Sequence, residues 1–165
     1  MASPSFFAPA VSRETLTTAK KGSIRLAKAS DATEITQLRI SSYKDAVDFG
    51  YNNLAELEWQ PNHRNEFVMV ACNQHGKIIA SIRAIILPNK QFAENYLQKE
   101  LPLAETDYPI LYLNRAATDP SYRRAGIHTV IRYHLLEIAE RLGIQSVVGV
   151  VFKKASRVGL MEKMG

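Results

Sequence analysis

Apolar and polar residues alternate along SIRLAK (23 to 28), with Ile24 and Leu26 set between polar neighbours, and that period predicts a half-buried strand. A helix is expected next. Asp31 is a suitable N-cap, Glu34 three residues on completes a capping box, and Ile35, Leu38, Ser42 and Tyr43 share one helical face. A shorter helix is predicted from Asn52 to Gln60, ahead of Pro61. EFVMVACN (66 to 73) and KIIASIRAIIL (77 to 87) read as strands joined at Gln74, His75 and Gly76, which predicts a hairpin. Pro88 stops the second strand. QFAENYLQKE (91 to 100) is the next helix, and ILYLNRAA (110 to 117) is a buried strand. From Arg124 to Leu142, Ile127, Val130, Ile131, Leu135, Ile138 and Leu142 recur at helical spacing, and Gly143 ends the run. IQSVVGVVF (144 to 152) is a β-branched core strand, and KASRVGLMEKMG begins a last helix.

This alternation of strands and helices predicts an α/β (α+β) fold on a hairpin-containing mixed sheet. Residues 1–22 mix proline, serine, threonine and lysine without periodicity and are expected to be a flexible arm, leaving residues 23–165 as one domain. A chain of 165 residues with 46% hydrophobic and 22% charged residues has room for one core. No apolar run reaches the ~18 residues that span a bilayer. One cysteine, Cys72, excludes an internal disulfide framework and a cysteine-based zinc site, and fits a reducing, cytoplasmic setting. In a β-run it reads as a small core residue rather than a nucleophile. His128 and His134 fall on different sides of their helix, so no metal is expected.

Charge changes the picture when it is placed along the chain. Between Arg115 and Arg157 eight basic residues stand against three acidic ones, which is the whole net charge of +5; the rest of the chain sums to zero. The segment holds DPSYRRAGIHTVI (119 to 131), where two arginines and a glycine precede a helix. The first N–H groups of a helix lack intrahelical acceptors and its dipole is positive there, so a glycine entry flanked by arginine suits phosphate or pyrophosphate. Neither a Walker-type loop nor a dinucleotide fingerprint occurs. Nucleic acid is a weaker partner, because the basic segment has no interleaved aromatics.

LNRAATDPSYRRAGIHTVIRYHLLEIAERLGIQSVVGVV (113 to 151) resembles the acyl-CoA-binding motif of the GNAT superfamily of N-acyltransferases. The resemblance implies a mostly antiparallel mixed sheet with flanking helices, in which strand 110–117 splays from its parallel neighbour 144–152. It implies that Arg123, Arg124, Ala125, Gly126, Ile127 and His128 hold the pyrophosphate of coenzyme A, largely through backbone N–H groups. His128 stands where the family has a small residue, so the pyrophosphate is shifted or the imidazole touches it. Backbone N–H groups near Ala116 and Ala117 would polarise the thioester of an acyl-CoA donor for direct attack by a small-molecule or peptide amine. Arg115 in LNRAATDP and the long insertion before it are also similar to long-chain N-acyl amino acid synthases and acyl-homoserine lactone synthases, which implies acyl-carrier protein as a second possible donor.

The family's usual acid is a tyrosine on the last helix, where this chain has Met161. Tyr112, and less directly Tyr133, are the substitutes, and Glu66, then Glu58, are the candidate bases. The family's two further strands are missing after Gly165, so the resemblance implies either a domain incomplete at its C-terminus or a partner copy over the open sheet edge. A catalytically silent acyl-CoA sensor is the rival reading.

Overall fold

The computed structural model describes residues 22–43, 57–61 and 65–149. The arm up to residue 21, most of the helix expected at 52–60, residues 150–152 of the strand expected at 144–152, and the last helix with Met161 lie outside them.

Among the described residues five strands form one sheet in chain order: β1 (Ser23–Leu26), β2 (Glu66–Cys72), β3 (Ile78–Leu87), β4 (Ile110–Thr118) and β5 (Ser146–Gly149). The first four pair antiparallel and β5 lies parallel to β4, with Ile110 opposite Ser146 and Leu113 opposite Gly149. The hairpin between β2 and β3 turns on Asn73, whose Oδ1 accepts the His75 and Lys77 N–H groups at 2.9 and 3.0 Å, while Gly76 supplies a φ of 80°. The parallel pair begins where Gln145 N donates to Pro109 O at 2.9 Å.

Helices cover both faces. α3 (Ile127–Arg141) lays Ile127, Ile131, Leu135 and Ala139 on Met69, Ala71, Ile82, Leu111 and Leu113. Ile131 and Leu135 are fully buried, each contributing about 1.5–3 kcal/mol of apolar transfer. On the opposite face α1 (Ala32–Tyr43) packs Ile35, Leu38 and Tyr43 on Val68, Val70, Cys72 and Ile78. α2 (Lys90–Leu97) covers Ile85, Leu87 and Tyr112, starting where Asn89 Oδ1 accepts the Phe92 N–H at 2.8 Å.

Two local expectations change. Asp31 and Glu34 form no capping box: Asp31 accepts the Lys28 N–H at 2.7 Å and grips Arg25 at 2.7 and 3.1 Å, while Glu34 reaches across to the Ile78 N–H at 2.8 Å. Asp31 therefore caps one turn earlier, at the 3-10 turn Ala29–Asp31, while Glu34 is drawn away to a strand end. The long helix starts at Ile127 rather than Arg124, because Arg124 and Gly126 adopt left-handed φ values of 64° and 74° that no helix accommodates.

Candidate active site

The irregularity that organises the site is in β4. Arg83 pairs with Asn114 and Ser81 with Ala117, so Arg115 and Ala116 together face the single residue Ile82. Arg115 carries the extra length at a left-handed φ of 51°. The bulge inverts the side-chain alternation: Leu111 and Leu113 face α3, and so does Ala116, while Ala117 turns to the α1 side. The Tyr43 hydroxyl, at the end of α1, donates to the Ala116 carbonyl. Ser42 Oγ accepts the Thr118 N–H at 3.3 Å, and Arg123 Nη2 donates to the Ser42 carbonyl at 3.1 Å. The end of α1 is thus fastened to the stretch of β4 expected to meet a thioester.

Past Thr118 the chain leaves the sheet after Asp119 N donates to Ile79 O at 2.8 Å. Asp119 then shapes the loop: its carboxylate accepts the Ser121 N–H at 2.9 Å and meets Lys77 at 3.2 Å. The Ser121 amide first, and Lys77 second, hold the carboxyl below its ordinary range. A turn at Pro120–Tyr122 follows, and the left-handed Arg124 and Gly126 redirect the backbone into α3. Val130 N donates to Gly126 O at 3.3 Å, so the Ile127, His128 and Thr129 amides precede that helical bond. The Arg123 and Arg124 side chains are exposed beside them. Ile127 and Ala125 pack into the α3 core, so their backbones rather than their side chains are placed for a ligand. His128 pairs through Nε2 with the Thr118 hydroxyl, against the end of β4.

The residues from Ala116 to His128 therefore form one strand-to-helix path. An anion suits its donor set: amides at a positive helix end, a glycine without a Cβ, and two arginines. Among the described residues no group of three potential metal ligands occurs, and no helix is long and apolar enough to cross a membrane.

Glu66 and Tyr112 lie apart from that path, on the α1/α2 face. Glu66 is opposite Ile85 and Ile85 opposite Tyr112, which separates the two by two strand spacings, about 10 Å. Tyr112 is buried among Ile85, Leu87 and Ile110. Glu66 is engaged by Arg83 Nη1 at 3.5 Å and by the Tyr96 hydroxyl at 3.3 Å. Burial first, then the Glu66 charge, raises the Tyr96 phenol above its ordinary value. Burial likewise raises Tyr133. Cys72 is free and buried in the α1 core, beside Trp59, so both pack as core residues.

The residues missed in the sequence are Arg39, Arg83 and Asn114. Arg83 Nε donates to Asn114 Oδ1 at 2.7 Å. Arg39, on the buried face of α1, is 1% exposed and donates through Nη1 to Leu57 O at 3.1 Å. Burial first, then the Arg83 charge, pushes its guanidinium down to about 10. A signal existed for each: Arg83 interrupts the apolar run KIIASIRAIIL, and Arg39 falls four residues before Tyr43 on the inward face.

Residues 32–165 match the sequence profile of the Acetyltransferase (GNAT) family. No curated protein matches the chain. Among solved structures, the ribosomal-protein-alanine N-acetyltransferase of Brucella melitensis biovar Abortus 2308 superposes with a TM-score of 0.66 at 16% identity, over 87% of this chain and 90% of that one. The aminoglycoside 6'-N-acetyltransferase of Acinetobacter baumannii gives a TM-score of 0.62 at 18% identity, over 87% and 89%. A predicted acetyltransferase of Clostridium acetobutylicum, solved with acetyl-CoA, gives 0.60 at 18% identity, over 86% and 88%. At these identities the likeness concerns the fold.

Proposed function

The chain belongs to the acetyltransferase (GNAT) family and is an acyltransferase, and from that premise we propose that it passes an acyl group from acyl-CoA to an amine in one direct step. The observation that carries this reading is the β4 bulge at Arg115 and Ala116, continuous with the left-handed turn at Arg124 and Gly126 that opens the start of α3.

In this reading the amides from Ala125 to His128, with Arg123 and Arg124, bind the pyrophosphate. The backbone at Ala116 and Ala117 polarises the thioester carbonyl, where preorganised donors stabilise the negative charge that develops on oxygen. The amine nitrogen attacks the carbonyl carbon, a C–N bond replaces the C–S bond, the amine gives up a proton and the departing thiolate takes one. Glu66 and Tyr112 are the proposed proton-handling groups. With the apolar Ile85 between them on the sheet face, Glu66 would act as base and Tyr112 as acid separately, without a proton path from one to the other.

The test is thiol release from a panel of short and long acyl-CoAs, and from acyl-carrier protein thioesters, with mixed amines. Release that requires an amine supports the proposal. Donor binding without release under any acceptor overturns it in favour of a silent sensor. A second copy of the chain along the β5 edge, and a cytoplasmic setting, belong to the same proposal. Sedimentation equilibrium checks the first, and localisation of a tagged chain the second.

A further inference from the structure

We propose that the β2–β3 hairpin positions the donor loop, with Lys77 and Asn73 acting on the pyrophosphate through Asp119 and Tyr122 rather than by touching it; this rests on the acyl-CoA reading above. Lys77 Nζ donates to Asp119 Oδ2 at 3.2 Å and Asn73 Nδ2 donates to the Tyr122 hydroxyl at 3.4 Å, across sequence separations of 42 and 49 residues. The sheet brings the two segments together. β4 pairs with β3 as far as Thr118 opposite Ala80, and Asp119 N then donates to Ile79 O, so the chain leaves the sheet beside the hairpin turn.

Of the two partners the hairpin is the better fixed. Asn73 N donates to Lys77 O at 2.9 Å, Asn73 Oδ1 accepts the His75 and Lys77 N–H groups, and Glu34 at the start of α1 accepts the Ile78 N–H. With Oδ1 committed to the turn, the Asn73 amide presents Nδ2 to Tyr122. The loop has less support of its own. Tyr122 N donates to Asp119 O at 2.9 Å, the next bond, Arg123 N to Pro120 O, stretches to 3.5 Å, and Arg124 holds a left-handed φ without being a glycine. Such a conformation persists where its surroundings impose it. Tyr122 is partly buried against the α3 core beside Ala125, so a hold on its hydroxyl fixes the ring that precedes Gly126. Asp119 divides its carboxylate, Oδ1 accepting the Ser121 N–H within the loop and Oδ2 meeting Lys77 on the hairpin. The Lys77 side chain is 59% exposed against 17% for Asp119, so solvent screens the pair and its effect on donor affinity is a few-fold rather than orders of magnitude.

The deciding variant is Asp119→Asn in the full chain, with coenzyme A binding followed by calorimetry. Asparagine keeps an oxygen for the Ser121 N–H and loses the charge that Lys77 meets. It also makes the loop more positive, so charge alone would tighten an anionic ligand. Lost positioning should instead weaken coenzyme A by about 2- to 5-fold. Lys77→Met should weaken it by a similar factor, the double variant should be no weaker than either single one, and Lys77→Arg should retain the native affinity. Because the loop acts on the pyrophosphate, both single variants should lower kcat/KM for an acyl-CoA more than for the matching acyl-pantetheine, a change of ratio that a loss of fold stability alone does not produce. Affinity unchanged or tighter in Asp119→Asn overturns the proposal. So do additive losses in the double variant, which would make Lys77 a direct phosphate ligand. Gly126→Asp separates this failure from that of the reading beneath it: if it weakens coenzyme A while Asp119→Asn does not, the hairpin's role alone is refuted, and if neither weakens it, the phosphate-loop assignment is refuted as well.

Discussion

Arg39→Met is expected to make the ligand-free protein more stable. The Arg39 guanidinium is pushed down to about 10 from its ordinary range, chiefly because it is buried and then because Arg83 and Arg115 repel it. That difference disfavours the charged form by about 3 kcal/mol in the folded chain. The folded value lies below the unfolded one, so the unfolded chain binds this proton more tightly. The penalty is therefore fully present at pH 7 and is relieved only as pH rises from about 10 into the ordinary arginine range. Methionine has a similar reach and no polar donors, and its neighbours Ile35, Leu38 and Leu57 are apolar. Against the gain stands the Leu57 carbonyl, which loses its bond from Nη1 at a cost of about 1–2 kcal/mol. The net expectation is about 1–2 kcal/mol of added stability, or about 2–8 °C in Tm for a chain of this size. Urea titration should show a higher midpoint with an unchanged slope. Arg39→Ala, which leaves a void, should fall about 2–5 kcal/mol below the methionine variant. If Arg39→Met is less stable than the native chain, the buried guanidinium is not a net cost and the reasoning from its open Nε and Nη2 donors fails.

Gly126→Ala forces a Cβ into a left-handed φ of 74° and should cost about 1–2 kcal/mol, and Gly126→Asp should also weaken acyl-CoA binding about tenfold or more by calorimetry. Unchanged acyl-CoA affinity in Gly126→Asp would refute the phosphate-loop assignment. Ile131→Ala removes a fully buried side chain between α3 and the sheet and should destabilise by about 2–5 kcal/mol in urea, well beyond any surface substitution. Tyr43→Phe deletes the bond to the Ala116 carbonyl; a loss of about 1 kcal/mol in stability is expected together with a lower kcat, and unchanged kcat would show that the fastening of α1 to β4 is structural alone. Asp31 titrates below its ordinary range, first through its hydrogen bond with Arg25, so it stabilises the fold above its unfolded pKa and that contribution is lost as pH falls below about 4. Arg25→Ala should flatten the acid side of the stability curve in that window, as read by denaturation at a series of pH values.

Most of the sheet was legible because its strands obey local rules. The runs at 66–73, 77–87 and 110–117 appear within a residue of their expected bounds, and the hairpin turns where Asn73 and Gly76 allow it. Errors arose where distant contacts compete with near ones. Asp31 and Glu34 have the spacing of a cap, but an arginine on β1 and a strand end on β3 claim their carboxylates. Arg124 has high helix propensity, but the turn that brings Gly126 to the head of α3 needs it in a left-handed conformation.

The same distinction separates the two halves of the site. The proposed donor half is contiguous, from Ala116 to His128, so its residue types and spacing carry the proposed chemistry directly. Positions 39, 83 and 115 are remote in sequence, and their placement on the other side of the sheet depends on the packing of α1 and on one inserted residue in β4. Alternation read straight through LNRAA would place Ala117 with Leu111 and Leu113, yet the bulge at Arg115 sends Ala117 to the α1 side and Ala116 to α3. No local pattern announces that inversion. What the sequence did contain was a cation at Arg83, on the face shared with Ile85 and Leu87, where a buried strand tolerates charge only if an anion meets it. Glu66 meets Arg83, whereas Arg39 on the same side of the sheet reaches only the Leu57 carbonyl, so a charge that no local pattern accounts for is set by the packing of α1.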